Sequence, residues 1–217
     1  VFDITVTDDE SPMLTNCPDD ILQSNDSSQC GAIVTWSLPT ATDNCVTPSV
    51  TNSDNSGDFF GVGNHTVTFT FSDTSGNSTD CVFDITVTDD ESPVITFCPQ
   101  DIVSTNDAGD CGAIATWNMP TATDNCVTPS VTNSHSSGDF FAVGTTTVTF
   151  TFSDTSGNSS DCVFNITVTD DENPVITGCP QDIEVNNTFG TCTRNVSWTE
   201  PTATDNCGIS SFTSTHT

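Results

Sequence analysis

Lysine and tyrosine are absent from this 217-residue chain, and one arginine, Arg194, stands against 30 acidic residues, for a net charge of −29. Phosphate backbones and anionic membrane surfaces are gripped by clusters of Lys and Arg, so nucleic acid is excluded as a natural partner and an anionic bilayer is disfavoured. Cations are the partners that such a charge favours. No stretch approaches the roughly 18 apolar residues of a membrane span, and no targeting segment is visible. Helical periodicity is missing throughout. Also missing are a G-x-S-x-G elbow, a phosphate loop and an H-E-x-x-H pair.

What is present is a strand-building vocabulary. Fourteen Phe and three Trp are set among alternating Val, Ile and Thr, which argues against the disorder that high charge alone would suggest. Eleven cysteines in this length indicate an oxidising, extracellular compartment.

The chain repeats itself. Val1-Phe2-Asp3-Ile4-Thr5-Val6-Thr7-Asp8-Asp9-Glu10 recurs at Val82–Glu91, and again at Val163–Glu172 with Asn165 in place of the aspartate, a period of 81 residues. Trp36, Trp117 and Trp198 keep the period. So do Cys17, Cys98 and Cys179; Cys30, Cys111 and Cys192; and Cys45, Cys126 and Cys207. Cys81 and Cys162 make a fourth class. The expected division is 1–10 as the last strand of a preceding repeat plus linker, repeats at 11–91 and 92–172, and an incomplete repeat at 173–217. The odd cysteine count then reflects a segment of a longer array cut in mid-repeat.

Each repeat reads as all-β. Val67, Phe69 and Phe71 alternate with threonines, and Phe83, Ile85 and Val87 alternate with Asp84, Thr86 and Thr88, so each strand has one buried and one wet face. Asp73-Thr74-Ser75-Gly76-Asn77 between them reads as a hairpin loop. Ala32, Val34 and Trp36 form a further inward set. About seven short strands per repeat suggest a two-sheet sandwich of immunoglobulin or fibronectin type III style. The histidines support no catalytic site. His135 and His216 share a repeat position that Asp54 fills in the first repeat, and His65 aligns with Thr146. An enzyme is therefore not expected.

Cys17-Pro18, Trp36-Ser37-Leu38-Pro39-Thr40-Ala41-Thr42-Asp43-Asn44, Phe60-Gly61-Val62-Gly63, Asp73–Asn77, and Cys81-Val82-Phe83 running into Thr86-Val87-Thr88-Asp89 together resemble the hyalin repeat (HYR) family. The resemblance covers essentially the whole chain and departs near Thr193-Arg194-Asn195. It implies an immunoglobulin-like fold in extracellular, often adhesive or matrix proteins, and no catalysis.

Four cysteines per repeat allow three pairings. First and last strands are neighbours in an immunoglobulin-like sandwich, so Cys17 with Cys81 and Cys98 with Cys162 are expected, as in hyalin repeats that retain only two cysteines. The remainder leaves Cys30 with Cys45 and Cys111 with Cys126. That second pairing is awkward, since Cys30 opens a strand at one end and Cys45 follows a loop near the other.

The linkers carry three adjacent carboxylates each: Asp8-Asp9-Glu10, Asp89-Asp90-Glu91 and Asp170-Asp171-Glu172. Each close pair repels by on the order of 1 kcal/mol. One arginine cannot relieve this, whereas Ca²⁺, which prefers carboxylate and amide oxygens, can. Chain topology brings the linker toward Asp43, Asn44, Asp73 and Asn77 in the first repeat and toward Asp124, Asn125, Asp154 and Asn158 in the second, with Asp205 the third repeat's counterpart of Asp43. The competing reading is that these carboxylates are solvated or cap turns. N-glycosylation sequons fall at Asn25, Asn64, Asn77, Asn158, Asn165, Asn186 and Asn195, although a glycan on Asn77 or Asn158 would hinder a cation ligand.

These readings converge on a structural extracellular protein. Its repeats would stack into a Ca²⁺-stiffened, glycosylated surface fibre or matrix filament through contacts with adjacent repeats, copies of itself or other matrix and cell-surface molecules. The alternative is an adhesion module that recognises a protein or glycan.

Overall fold

The computed structural model describes residues 2–215; Val1, His216 and Thr217 lie outside the described residues. The chain divides into two compact units. The first runs to Thr96 and adds Ala122–Val131 and Phe152–Ser160, two loop regions of the second repeat. The second comprises Phe97–Thr121, Thr132–Thr151 and the chain from Asp161 onward. All regular structure among the described residues is strand.

The first repeat contains eight strands: β1 (Met13–Asn16), β2 (Ile21–Ser24), β3 (Gly31–Ile33), β4 (Thr40–Thr42), β5 (Ser49–Asn52), β6 (Phe59–Gly61), β7 (Gly63–Ser72) and β8 (Ser78–Thr88). The long β7–β8 hairpin turns through Asp73–Asn77, as the Gly and Asn content predicts, and its register runs from Gly63↔Val87 to Ser72↔Ser78. It is the centre of a four-stranded sheet of order β2-β8-β7-β5, in which β2 pairs parallel to β8. Shorter antiparallel pairs, β1-β4 and β3-β6, complete the repeat.

Alternation along the hairpin turns Val67, Phe69, Phe71, Cys81, Phe83, Ile85 and Val87 into one core with Ala32, Val34 and Phe60. Trp36 closes it, edge-on to Phe83 at 5.4 Å. Asp84 and Ile33 face outward, in the expected phase. Gly31 is required where β3 crosses β6: an added Cβ there would run into the Phe60 carbonyl and the Phe59 ring. Ile85 is wholly buried, so Ile85→Val should cost about 1 kcal/mol. In urea this lowers the midpoint of the first unit's transition and leaves its slope unchanged.

The second repeat reproduces the plan with β9 (Val94–Phe97), β10 (Ile102–Thr105), β11 (Gly112–Ile114), β12 (Thr121–Thr123), β13 (Ser130–Asn133), β14 (Phe140–Ala142), β15 (Gly144–Ser153) and β16 (Ser159–Thr169). The main sheet is ordered β10-β16-β15-β13. Ala113, Phe141, Val148, Phe150, Phe164, Ile166 and Val168 are buried, and Trp117 stands edge-on to Phe164 at 5.4 Å. Beyond it, among the described residues, only β17 (Val175–Thr177) and β18 (Thr202–Thr204) pair, and both are largely exposed.

Residues 2–7, read as strand, form none, and Phe2, Ile4 and Val6 are exposed. Their counterparts Phe83, Ile85 and Val87 are buried because β8 is held between β2 and β7, a pair of neighbours that residues 2–7 do not have.

Candidate cation sites and the cysteine bridges beside them

The bridges Cys17–Cys81 and Cys98–Cys162 are as expected, with Cα–Cα distances of 5.7 and 5.6 Å. The other pairing is corrected. Cys30 bonds Cys126 and Cys111 bonds Cys207, each across 96 residues and with Cα–Cα distances of 4.6 and 4.7 Å, within the reach of a disulfide. Cys30 does not meet Cys45, nor Cys111 Cys126. The awkward geometry of an intra-repeat bond is avoided because Cys30 and Cys111 each pair with the following repeat. Cys45, Cys179 and Cys192 are free and exposed.

The bridge fixes an acidic cluster in the first unit. Asp124 directly follows β12 and its Oδ2 accepts the Cys126 N–H at 3.0 Å, the turn-capping habit of aspartate. Asp89, the first residue of its linker triplet, is only 7% exposed. Carboxylate oxygens of Asp89 and Asp124 and the Cys126 sulfur lie within 4.8 Å of one another. Asn125 donates to the Gln29 carbonyl at 3.0 Å and to Asp89 Oδ1 at 3.3 Å. Three buried acceptors here have no hydrogen-bond partner: Asp89 Oδ2, Asp124 Oδ1 and Asn125 Oδ1. Unpaired charge at this depth is costly, and two carboxylates at that separation repel by about 3–4 kcal/mol at an effective dielectric near 20. The set fits a hard cation with oxygen ligands. Cys126 is a half-cystine, so it offers no thiolate.

The other linker residues turn elsewhere. The Asp90 N–H goes to Asn25 Oδ1 at 3.2 Å, and both oxygens of Glu91 accept the Ser28 N–H at 3.0 Å. Asp154 uses Oδ1 on the N–H groups of Ser156, Gly157 and Asn158 and Oδ2 on the Asn158 amide, which also donates to the Asp89 carbonyl at 3.0 Å. Asp73 and Asn77 repeat this beside Asp8, with the Asn77 amide on the Asp8 carbonyl at 3.2 Å. Asp8, Asp43 and Cys45 approach one another as Asp89, Asp124 and Cys126 do, while Asp9, Glu10 and Asn44 are exposed. Desolvation opposes ionisation of Asp73 and Asp154, but the hydrogen bonds from the Asn and the turn amides outweigh it and hold both below the ordinary 3.8. A depressed native pKa contributes stability above the unfolded value, lost as pH falls through the native one. Asp154→Asn should therefore lower the thermal midpoint at neutral pH, with the difference from wild type shrinking as the pH falls below 3.8 in a series of melts. The Cys45 thiol is pushed up by hydrogen bonding to Asp8, then by desolvation and the charges of Asp8, Asp43 and Glu10.

In the second unit Asp205 and Asn206 repeat the arrangement. The Cys207 N–H meets Asp205 Oδ1 at 2.9 Å, Asn206 donates to the Asp110 carbonyl at 2.8 Å, and Asp205 Oδ2 and Asn206 Oδ1 are buried without partners. Asp170, Asp171 and Glu172 are exposed; Glu172 accepts the Gly109 N–H at 2.9 Å.

The sequons differ in how the fold uses them. Asn64, Asn186 and Asn195 are exposed, and half-buried Asn165 offers its oxygen to Thr147 at 2.9 Å. Asn25 donates to the Asp26 and Gln29 carbonyls, and the amides of Asn77 and Asn158 each make two bonds.

Comparison with known proteins follows the same period. The HYR domain matches residues 7–87, 88–168 and 169–217. Hyalin of Strongylocentrotus purpuratus is 36% identical over 98% of the chain, and Hyalin of Lytechinus variegatus 38% over 94%. The chain spans 18% and 40% of those relatives. A rat protein described as Sushi, von Willebrand factor type A, EGF and pentraxin domain-containing protein 1 is 36% identical over 74% of the chain, which spans 4% of it. Among solved structures, Protocadherin Gamma C5 EC1-3 covers 74% of the chain and is itself covered over 68%, at 19% identity and a TM-score of 0.36, too distant for any feature to be carried over.

Proposed function

Because the chain belongs to the HYR-domain family of disulfide-bonded, extracellular adhesion-type repeats, we propose that it is a structural element of a surface fibre or matrix filament whose repeat junctions are stiffened by Ca²⁺. The observation that carries this reading is the buried, unpartnered Oδ2 of Asp89 beside the unpartnered oxygens of Asp124 and Asn125. A cation there would take these three as ligands, complete its shell with water, and tie the linker to the loop after β12. Asp8 with Asp43 would serve in the same way, and so would Asp205 with Asn206. An extracellular module needs affinity of only roughly 10⁻⁴–10⁻³ M for this role. Exposed sequons would carry glycans on the outer faces, and contacts with other repeats or matrix molecules would build the fibre.

Small-angle scattering tests the mechanical part. With calcium the spread of interatomic distances should narrow and the largest dimension become sharply defined; in EDTA both should broaden. Superposable profiles would leave calcium without a stiffening role. A dispersed monomer that captures a soluble protein or glycan would favour the recognition module instead.

A further inference from the structure

Asn158 opens an Asn-Ser-Ser sequon at the end of the β15–β16 hairpin turn, and the fold engages both of its amide hydrogens. One goes to Asp154 Oδ2 at 2.8 Å, inside the turn. The other goes to the Asp89 carbonyl at 3.0 Å, 69 residues earlier in the chain. Asp89 supplies the buried, unpartnered carboxylate oxygen of the cation site, so this amide fixes the backbone of a residue that the site needs. Asn77 makes the same pair of bonds, to Asp73 Oδ2 at 2.8 Å and the Asp8 carbonyl at 3.2 Å, and opens an Asn-Ser-Thr sequon.

An N-linked sugar replaces one amide hydrogen with its anomeric carbon. A C–N bond of about 1.45 Å, directed at an acceptor 3.0 Å from the nitrogen, leaves less than about 2 Å between carbon and oxygen. Carbon and oxygen in non-bonded contact stay roughly 3.3 Å apart or more. One of the two acceptors must therefore leave. Asp154 is the firmer, since its Oδ1 also takes the N–H groups of Ser156, Gly157 and Asn158. The Asp89 carbonyl lies in the linker after β8, outside any strand, and is the easier to displace.

We propose that Asn158 is a glycan-controlled latch on the cation site of Asp89, Asp124 and Asn125, so that N-glycosylation of Asn158 and cation binding there exclude one another. The inference rests on the calcium reading above and gives that site its regulation. The sugar donor is a lipid diphosphate-linked oligosaccharide of the secretory pathway. The Asn158 amide nitrogen bonds the anomeric carbon, and the bond from that carbon to the phosphate oxygen breaks. The lipid diphosphate leaves with the electron pair, and the displaced amide proton passes to a base of the transferase. Transfer has to precede closure of the β15–β16 turn, because both N–H groups are engaged in the folded chain. Chains modified before closure fold with a loose junction, and chains that close first keep the site.

The test is secretion of the whole chain from a glycosylating host, separation of glycoforms matched for occupancy of Asn77, and peptide mapping of Asn158. Calorimetric titration of calcium then compares the form occupied at Asn158 with the bare form and with Ser160→Ala, which erases the sequon and keeps the amide. The expected result is partial occupancy of Asn158 and one calcium site fewer in the occupied form, with full stoichiometry in the bare form and in Ser160→Ala. Trimming the glycan to its first sugar leaves the site closed, because the link to the nitrogen does the blocking. In EDTA, the Asp90 and Glu91 amides, which bond Asn25 Oδ1 and Asp89 Oδ1, exchange hydrogen several-fold faster in the occupied form. Asn158 bare in every molecule, equal stoichiometry in the two forms, or recovery of the site on trimming would overturn the proposal. No calcium bound by any form would overturn the calcium reading and the exclusion with it, whereas equal exchange in EDTA overturns the latch alone.

Discussion

Replacing Cys30 and Cys126 together by serine should lower the stability of the first unit by about 4–5 kcal/mol. The bridge closes 96 residues, and the chain-entropy cost released on cutting a loop of that size is about 4.7 kcal/mol. The Cys17–Cys81 bond offers a shorter path of roughly 60 residues between the two ends. Because the cost grows with the logarithm of loop length, the shortcut removes only a few tenths of a kcal/mol. At about 4 °C or more per kcal/mol for a domain of this size, the transition should fall by roughly 15 °C or more. Calorimetry of the oxidised variant reads this directly. The second unit keeps Cys111–Cys207 and should melt where it did. A shift of a degree or two would mean that the loop carrying Cys126 is held by other contacts and the bridge is incidental.

Calcium should stabilise the first unit by about 2.7 kcal/mol once its concentration reaches 100 times the dissociation constant. The gain comes from a state that native folding creates. Asp89 and Asp124 are brought within 4.8 Å, with three buried oxygens left without donors, whereas in the unfolded chain the same groups are solvated and far apart. Cys30–Cys126 helps to hold Asp124 and Asn125 in place, so cation and bridge are linked. Linkage is reciprocal: in the Cys30→Ser/Cys126→Ser variant the calcium-induced shift should shrink, and calcium should slow reduction of the bridge in wild type. Thermal melts with and without EDTA measure the first effect, and timed alkylation in dithiothreitol the second.

Much of the sandwich was legible from the period of two. Phe83, Ile85 and Val87 sit on one face of β8 and Asp84 on the other, as their alternation requires, and Gly76 with Asn77 marked the hairpin. The Cys17–Cys81 bond also follows from an immunoglobulin-like topology. The second pairing was not legible within one repeat, because four cysteines per repeat satisfy intra-repeat and inter-repeat schemes equally well. The available clue was geometric: Cys30 and Cys45 belong to opposite ends of the repeat, and only the following repeat brings Cys126 to Cys30. The acidic triplets looked uniform in sequence. Their first residue alone turns inward at the buried junction, because Glu91 is drawn to the Ser28 N–H and the Asp90 backbone to Asn25. Such local hydrogen bonds depend on where the loop before β3 lies, which residue spacing does not encode.

Calorimetric titration of calcium into the oxidised chain, wild type against Asp124→Asn, tests the central claim most directly. Asp124→Asn removes one carboxylate while the side chain can still accept the Cys126 N–H, so the fold and bridges should be retained. The account predicts saturable binding by the wild type and a stoichiometry lower by one site in the variant. Identical isotherms, or no heat from the wild type at millimolar calcium, would contradict it.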